Sequence, residues 1–176
     1  TTTVNNPLVS GWNLVSLPIN LVDSTTSEAF ASIAGNHGDI FTYNALESQP
    51  WRLYNPDIGD LIGTVNTTNG YWIDMIIPDT LTLSGTYPIQ TSIDLVVGWN
   101  LIGYPSVTIR PVDVVFSGID GKYSLVWQYE AADQEDPWKS FNPSLPLSLN
   151  SLQEMTPGYG YWIYMTQDAT LTIPGR

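Results

Sequence analysis

The chain contains itself twice, and that constrains its fold more than any other feature. Gly11-Trp12-Asn13-Leu14-Val15-Ser16-Leu17-Pro18 returns 87 residues later as Gly98-Trp99-Asn100-Leu101-Ile102-Gly103-Tyr104-Pro105. Pro50-Trp51-Arg52-Leu53-Tyr54-Asn55-Pro56 returns at the same spacing as Pro137-Trp138-Lys139-Ser140-Phe141-Asn142-Pro143. Gly70-Tyr71-Trp72-Ile73-Asp74-Met75 returns 90 residues on as Gly160-Tyr161-Trp162-Ile163-Tyr164-Met165. Three blocks in one order, each keeping its Trp, mark a tandem duplication of one structural unit. Residues 1–88 form repeat 1 and residues 89–176 repeat 2. A copy this small buries little core alone, so the two are expected to pack as one compact unit.

Each repeat reads as β-α-β-β-β-β. Val9 to Leu17 and Val96 to Tyr104 are apolar on both parities, the pattern of a strand covered on both faces. Thr25-Thr26-Ser27-Glu28 is a capping box, followed by Phe30 and Ile33 at helical spacing and a stop at Gly35. Phe116 and Ile119 match them after Pro111. Phe41/Tyr43 and Trp127/Tyr129 alternate with polar residues and are expected to face the core. In the last block Tyr71, Ile73 and Met75 share one face, leaving Trp72 and Asp74 half-exposed opposite. Thr86 to Ser92 reads as the linker, and the Thr1-Thr2-Thr3 start as the cut end of another. The expected fold is mainly β with one short helix per repeat. Its tandem repeats, related by a pseudo-twofold axis, pack as sheets (a β-sandwich) or an open barrel.

Composition excludes several functions. Five Lys+Arg against 17 Asp+Glu give a net charge of −12, which argues against nucleic acid and anionic membrane surfaces. No apolar run is long enough for membrane insertion. With no Cys and one His, thiolate and imidazole metal sites and a catalytic triad are unavailable. His37 follows the helix in a turn and reads as a solvated loop residue. Paired carboxylates acting as a glycoside hydrolase need only two acids across a cleft, yet no acid lies in a matched block in both copies. The sequence therefore reads as no enzyme and no cofactor. The nearest approach to a metal site is Ca²⁺ on Asp133, Glu135 and Asp136, three carboxylates in one loop, whose other reading is a solvated acidic turn.

Aromatic residues are the remaining lead. Six of the seven Trp are matched pairs and Trp127 matches Phe41. Exposed rings on a β-face form platforms on which sugars stack their C–H faces. Trp51, Arg52, Tyr54 and Asn55, with Trp138, Lys139, Phe141 and Asn142, make two equivalent candidate ligand sites. The plainer reading of the shared rings is hydrophobic interior, most strongly for Trp12 and Trp99.

The succession Gly-Trp-Asn-Leu-(Val/Ile)-x-x-Pro, Trp-x-x-(Tyr/Phe)-Asn-Pro and Gly-Tyr-Trp-Ile resembles a repeat module of secreted and cell-surface multidomain proteins of bacteria and archaea. There it sits beside immunoglobulin-like or other adhesive domains. The likeness spans residues 8–85 and 95–175. It implies an extracellular accessory role, with no assigned activity or site residue. The expected function is non-catalytic binding of a glycan or other cell-surface component within a longer parent chain. The alternative is a purely structural spacer of a surface-layer or adhesin protein, for which the six paired Trp would be buried.

Overall fold

The computed structural model describes residues 1–176. Repeat 1 comprises β1 (Thr2–Leu8), β2 (Gly11–Ser16), β3 (Asn20–Leu21), α1 (Thr26–Ala29), β4 (His37–Tyr43), β5 (Trp51–Asn55), β6 (Gly59–Asp60), β7 (Gly70–Met75) and β8 (Asp79–Thr86). Repeat 2 comprises β9 (Gln90–Leu95), β10 (Gly98–Ile102), β11 (Arg110–Pro111), α2 (Val112–Val115), β12 (Tyr123–Tyr129), β13 (Trp138–Phe141), β14 (Glu154–Met155), β15 (Tyr161–Met165) and β16 (Ala169–Pro174). The protein is mainly β, built of antiparallel sheets that do not close into a barrel.

Each repeat is a small sandwich. A main sheet, β2-β7-β4-β5-β6 or β10-β15-β12-β13, packs against a smaller one, β1-β8-β3 or β16-β9. Between the layers lies a separate core for each repeat. One holds 14 buried residues, including Phe30, Ile33, Tyr71 and Ile73. The other holds 18, including Phe116, Ile119, Tyr161 and Ile163. Phe30 and Phe116 lie within 1% of complete burial, so the helical pins expected from sequence hold both cores. Truncating either Phe to Ala is expected to cost about 3–5 kcal/mol, read as a lowered urea midpoint at unchanged slope.

The helices themselves are single turns, each continued by a short 3₁₀ turn, Ala31–Ile33 or Ser117–Ile119. The Thr25 hydroxyl does not cap α1. It donates to Asp23 Oδ1 at 2.8 Å, and the same oxygen accepts the Thr25 amide. The expected linkers are mostly strand. β1 runs from Thr2 alongside β8, and β9 takes up Gln90, Thr91 and Ser92, leaving Tyr87, Pro88 and Ile89 as the connection. These leading strands carry little signal in the sequence because only alternate residues, Leu8, Ile93 and Leu95 among them, turn inward from a Thr/Asn/Ser-rich background.

The repeats meet across a local dyad whose contacts are reciprocal, as a twofold axis requires. Ser16 N–H donates to Gly158 O at 2.9 Å, and its counterpart Gly103 N–H donates to Thr68 O at 2.8 Å. Val15 bridges Tyr159 while Ile102 bridges Asn69. Glycines make this approach possible. A Cβ on Gly160 would stand 2.7 Å from Val15 O, and one on Gly70 2.9 Å from the Leu101 side chain.

The repeated motifs now have physical meanings. Gly11 and Gly98 turn into their strands with φ of +84° and +98°, a conformation that favours glycine. The amides of Asn13 and Asn100 are buried, each donating to two carbonyls of the preceding turn (Val9 and Gly11, Val96 and Gly98) and accepting one amide from it. Leu14 and Leu101 lie at the dyad, outside either core. Tyr71 and Tyr161 are fully buried, and each phenol accepts an amide hydrogen from its own approach loop, Asn66 N–H or Thr156 N–H.

Candidate functional site

Antiparallel strands send alternate residues to opposite faces, and here the main sheets divide their residues in a way that the sequence disguises. Ile40 and Val126 point into the cores, with Thr42 and Gln128 buried on the same side. Phe41, Tyr43, Trp127 and Tyr129 therefore point away from their own cores, contrary to expectation. Trp72 lies opposite the core-facing Tyr71, Ile73 and Met75, as expected. No Trp belongs to either core.

Instead the rings collect on the faces that the two main sheets turn toward each other. Repeat 1 contributes Trp12, Phe41, Tyr43, Trp51 and Trp72. Repeat 2 contributes Trp99, Trp127, Tyr129, Trp138, Trp162 and Tyr164. Edge-to-face and tilted contacts at 5.0–6.3 Å link them all. The contacts across the dyad are paired: Tyr43–Trp162 at 5.3 Å answers Trp72–Tyr129 at 5.2 Å, and Trp51–Trp162 at 6.0 Å answers Trp72–Trp138 at 5.9 Å.

This network is open to solvent. Trp12 and Trp138 are 40% exposed, Trp51 51% and Trp99 38%, which corrects the expectation that Trp12 and Trp99 are interior. A pocket of about 620 Å³ is lined entirely by Tyr43, Trp51, Trp99, Trp127, Trp138 and Trp162. A second, of about 430 Å³, is lined by Trp12, Phe41, Trp51 and Trp72. Under the repeat equivalence, the second quartet maps onto Trp99, Trp127, Trp138 and Trp162. The pockets are thus pseudo-symmetric mates in one aromatic trough, and Trp51 borders both.

Of the eight candidate ligand residues, only Trp51 and Trp138 reach the trough. Phe141 is a core residue, 3% exposed, and Tyr54 packs on the other core beside His37. Both stand three residues from their Trp, an odd spacing that puts them on the opposite sheet face. Arg52 pairs with Glu47. Lys139 Nζ lies 2.7 Å from Asp133 Oδ2 and donates to Asp136 O at 2.6 Å. Asn55 Nδ2 donates to Asp39 at 2.7 Å, while its Oδ1 accepts the Asp57 amide. The Asn142 side chain likewise caps a turn, accepting from Ser144 N–H. These four polar residues build hairpin ends.

The acidic loop does not assemble the anticipated metal site. No three carboxylate or imidazole groups converge anywhere in the chain. Lys139 occupies the side of the loop held by Asp133 and Asp136, and its hydrogen bond holds the Asp133 carboxyl below its ordinary pKa. His37 is also corrected. It opens β4, is 6% exposed, and fills the position that Tyr123 takes in repeat 2. Asp113 and Asp120 line a separate pocket of about 300 Å³ with Tyr123, whose phenol is pushed up by burial and then by those two charges.

Fold and site together define a duplicated β-sandwich carrying an inter-repeat aromatic trough. Comparison with protein-family models, with curated proteins and with solved structures finds no match for this chain.

Proposed function

We propose that the protein binds a glycan in the aromatic trough, as a non-catalytic accessory module of a secreted or cell-surface protein. The observation that carries this reading is the exposure of Trp51 and Trp138 within pockets lined only by aromatic rings. Large exposed apolar surfaces on soluble proteins mark binding sites, and planar rings suit ligands with flat, weakly polar faces. Nucleic-acid bases also stack on such platforms, but binding a strand needs a basic groove along its phosphates. Neither pocket has a basic lining residue, and the net charge is −12. Sugar rings without acidic substituents fit both constraints. A purely structural spacer required buried indoles, and the exposure of four of the six paired ones weighs against it.

Calorimetric titration and a glycan array test the proposal. Trp51→Ala is expected to weaken binding by about 1–2 kcal/mol, roughly five- to thirty-fold in Kd. Trp138→Ala is expected to cost less, since it borders one pocket. A complete absence of binding to oligosaccharides at millimolar concentration would overturn the proposal.

A further inference from the structure

The two halves of the trough differ in one charged residue. In repeat 2, Tyr164 stands opposite Trp99 across the β10–β15 pair, with ring centroids 5.1 Å apart. In repeat 1 the same place, opposite Trp12 across β2–β7, holds Asp74. Directly opposed residues on one sheet face have Cβ atoms about 5 Å apart, so Asp74 stands beside Trp12 at the rim of the pocket, outside the quartet of Trp12, Phe41, Trp51 and Trp72 that lines it. It is half-buried and enters none of the three ion pairs of the chain. Its Oδ2 lies beside Gly38 of β4, where a Cβ would stand in ordinary contact at 3.9 Å; the equivalent residue in repeat 2 is Ser124.

The five cations lie elsewhere. Arg52 and Lys139 are paired with acids. Arg110 is held by Tyr104 Oη and Ser106 Oγ, Arg176 sits over the Tyr87 ring, and Lys122 lines neither pocket. An unpaired acid opposed to Trp12 at the trough rim, on a protein of net charge −12, provides both elements of ammonium recognition. The carboxylate supplies a charge-assisted hydrogen bond, and the ring quadrupoles attract the cation.

We infer that the repeat 1 half of the trough selects a sugar bearing a free amino group, in a glycan of partly or wholly unacetylated 2-amino sugars. The repeat 2 half, with Tyr164 in place of the acid, takes a neutral ring. This inference rests on the glycan reading and names the ligand class within it.

The test titrates wild type, Asp74→Asn and Asp74→Tyr with an N-acetylglucosamine oligomer and with its deacetylated counterpart. Salt is kept at about 0.15 M to screen long-range attraction. Wild type is expected to bind the deacetylated oligomer at least ten-fold tighter. Both substitutions are expected to bring that ratio to within two-fold of one, and Asp74→Tyr only installs what repeat 2 already carries. Tyr164→Asp, which gives repeat 2 its own carboxylate, is expected to widen the ratio beyond that of wild type. Equal wild-type binding of the two oligomers overturns the inference and leaves the glycan reading standing. A preference that persists in Asp74→Asn also overturns it, by assigning the effect to overall charge. Failure of both oligomers and of neutral glucose oligomers removes the reading and the inference together.

Discussion

Replacing Gly103 with alanine is expected to separate the two repeats and abolish the aromatic trough, while leaving each sandwich folded. A Cβ at Gly103 would fall far inside contact distance of the Thr67 carbonyl oxygen and 2.9 Å from that of Asn69. Both are backbone atoms, which cannot swing aside as a side chain does. The same residue donates its amide to Thr68 O at 2.8 Å, and any retreat of the loop breaks that bond. Overpacking costs about 1–3 kcal/mol and the lost hydrogen bond roughly 1 kcal/mol more, directed at the dyad. The cores are made of sequence-disjoint residues on either side of it, so the damage is expected at the docking surface. Near-UV circular dichroism of the coupled indoles should collapse, with far-UV β signal retained. Ser16 is the twofold counterpart and already carries a side chain, its hydroxyl donating to Tyr159 O at 2.7 Å and accepting from Tyr104 N–H. Ser16→Ala adds no atom and is expected to cost only about 1–2 kcal/mol. If Gly103→Ala behaves no worse than Ser16→Ala, the dyad is not a close backbone contact.

The second large effect is alkaline unfolding. Tyr71 and Tyr161 are fully buried, and desolvation of the phenolate pushes both phenols far above their ordinary range. A folded pKa above the unfolded value means that the native state holds its proton more tightly. The stability this represents is whole below the unfolded tyrosine pKa of about 10 and drains away as pH rises past it. Each phenol removes about 1.4 kcal/mol per pH unit in that range. Two phenols two units above the unfolded pKa therefore remove roughly 5–6 kcal/mol, comparable to the whole stability of a small protein. Cooperative unfolding near pH 12 is expected, with the tyrosinate absorbance of Tyr71 and Tyr161, and of Tyr123, whose phenol burial also pushes up, appearing only as the chain unfolds. Tyr71→Phe with Tyr161→Phe is expected to extend the folded range to higher pH. At neutral pH the pair of changes would cost about 1–3 kcal/mol for each approach-loop amide left without its acceptor. Titration of all ten tyrosines in one step with the fold intact would show that the pair is not sealed.

Much of the scaffold was readable from local pattern. The duplication, the main strands, the Phe/Ile pins of the helical turns and the inward face of Tyr71, Ile73 and Met75 all follow from spacing and repetition. The orientation of β4 and β12 did not. Phe41/Tyr43 on one parity and Ile40/Thr42 on the other both meet covered surfaces, one the partner repeat and one the repeat's own core. Alternation reveals a face only when its opposite is wet, and by size alone the larger rings read as the inward ones. The same ambiguity hid the role of Trp12 and Trp99. The candidate platforms failed at Tyr54 and Phe141 for a simpler reason, parity, which a strict count along the strand already contains. Asn13 and Asn100 were equally accessible as repeated polar residues inside apolar strands.

Sequence alone determined that one unit was used twice, because side-chain periodicity and repeated blocks are local and additive. Its composition also rules out thiolate ligation, for want of any Cys, and leaves one His and five Lys+Arg against 17 Asp+Glu. Only the tertiary structure decided where the rings went. Two sheets had to meet across a glycine-lined dyad before eleven rings, from positions 12 to 164, became one surface. That meeting depends on backbone approach between segments distant in the chain, a term that no local pattern carries.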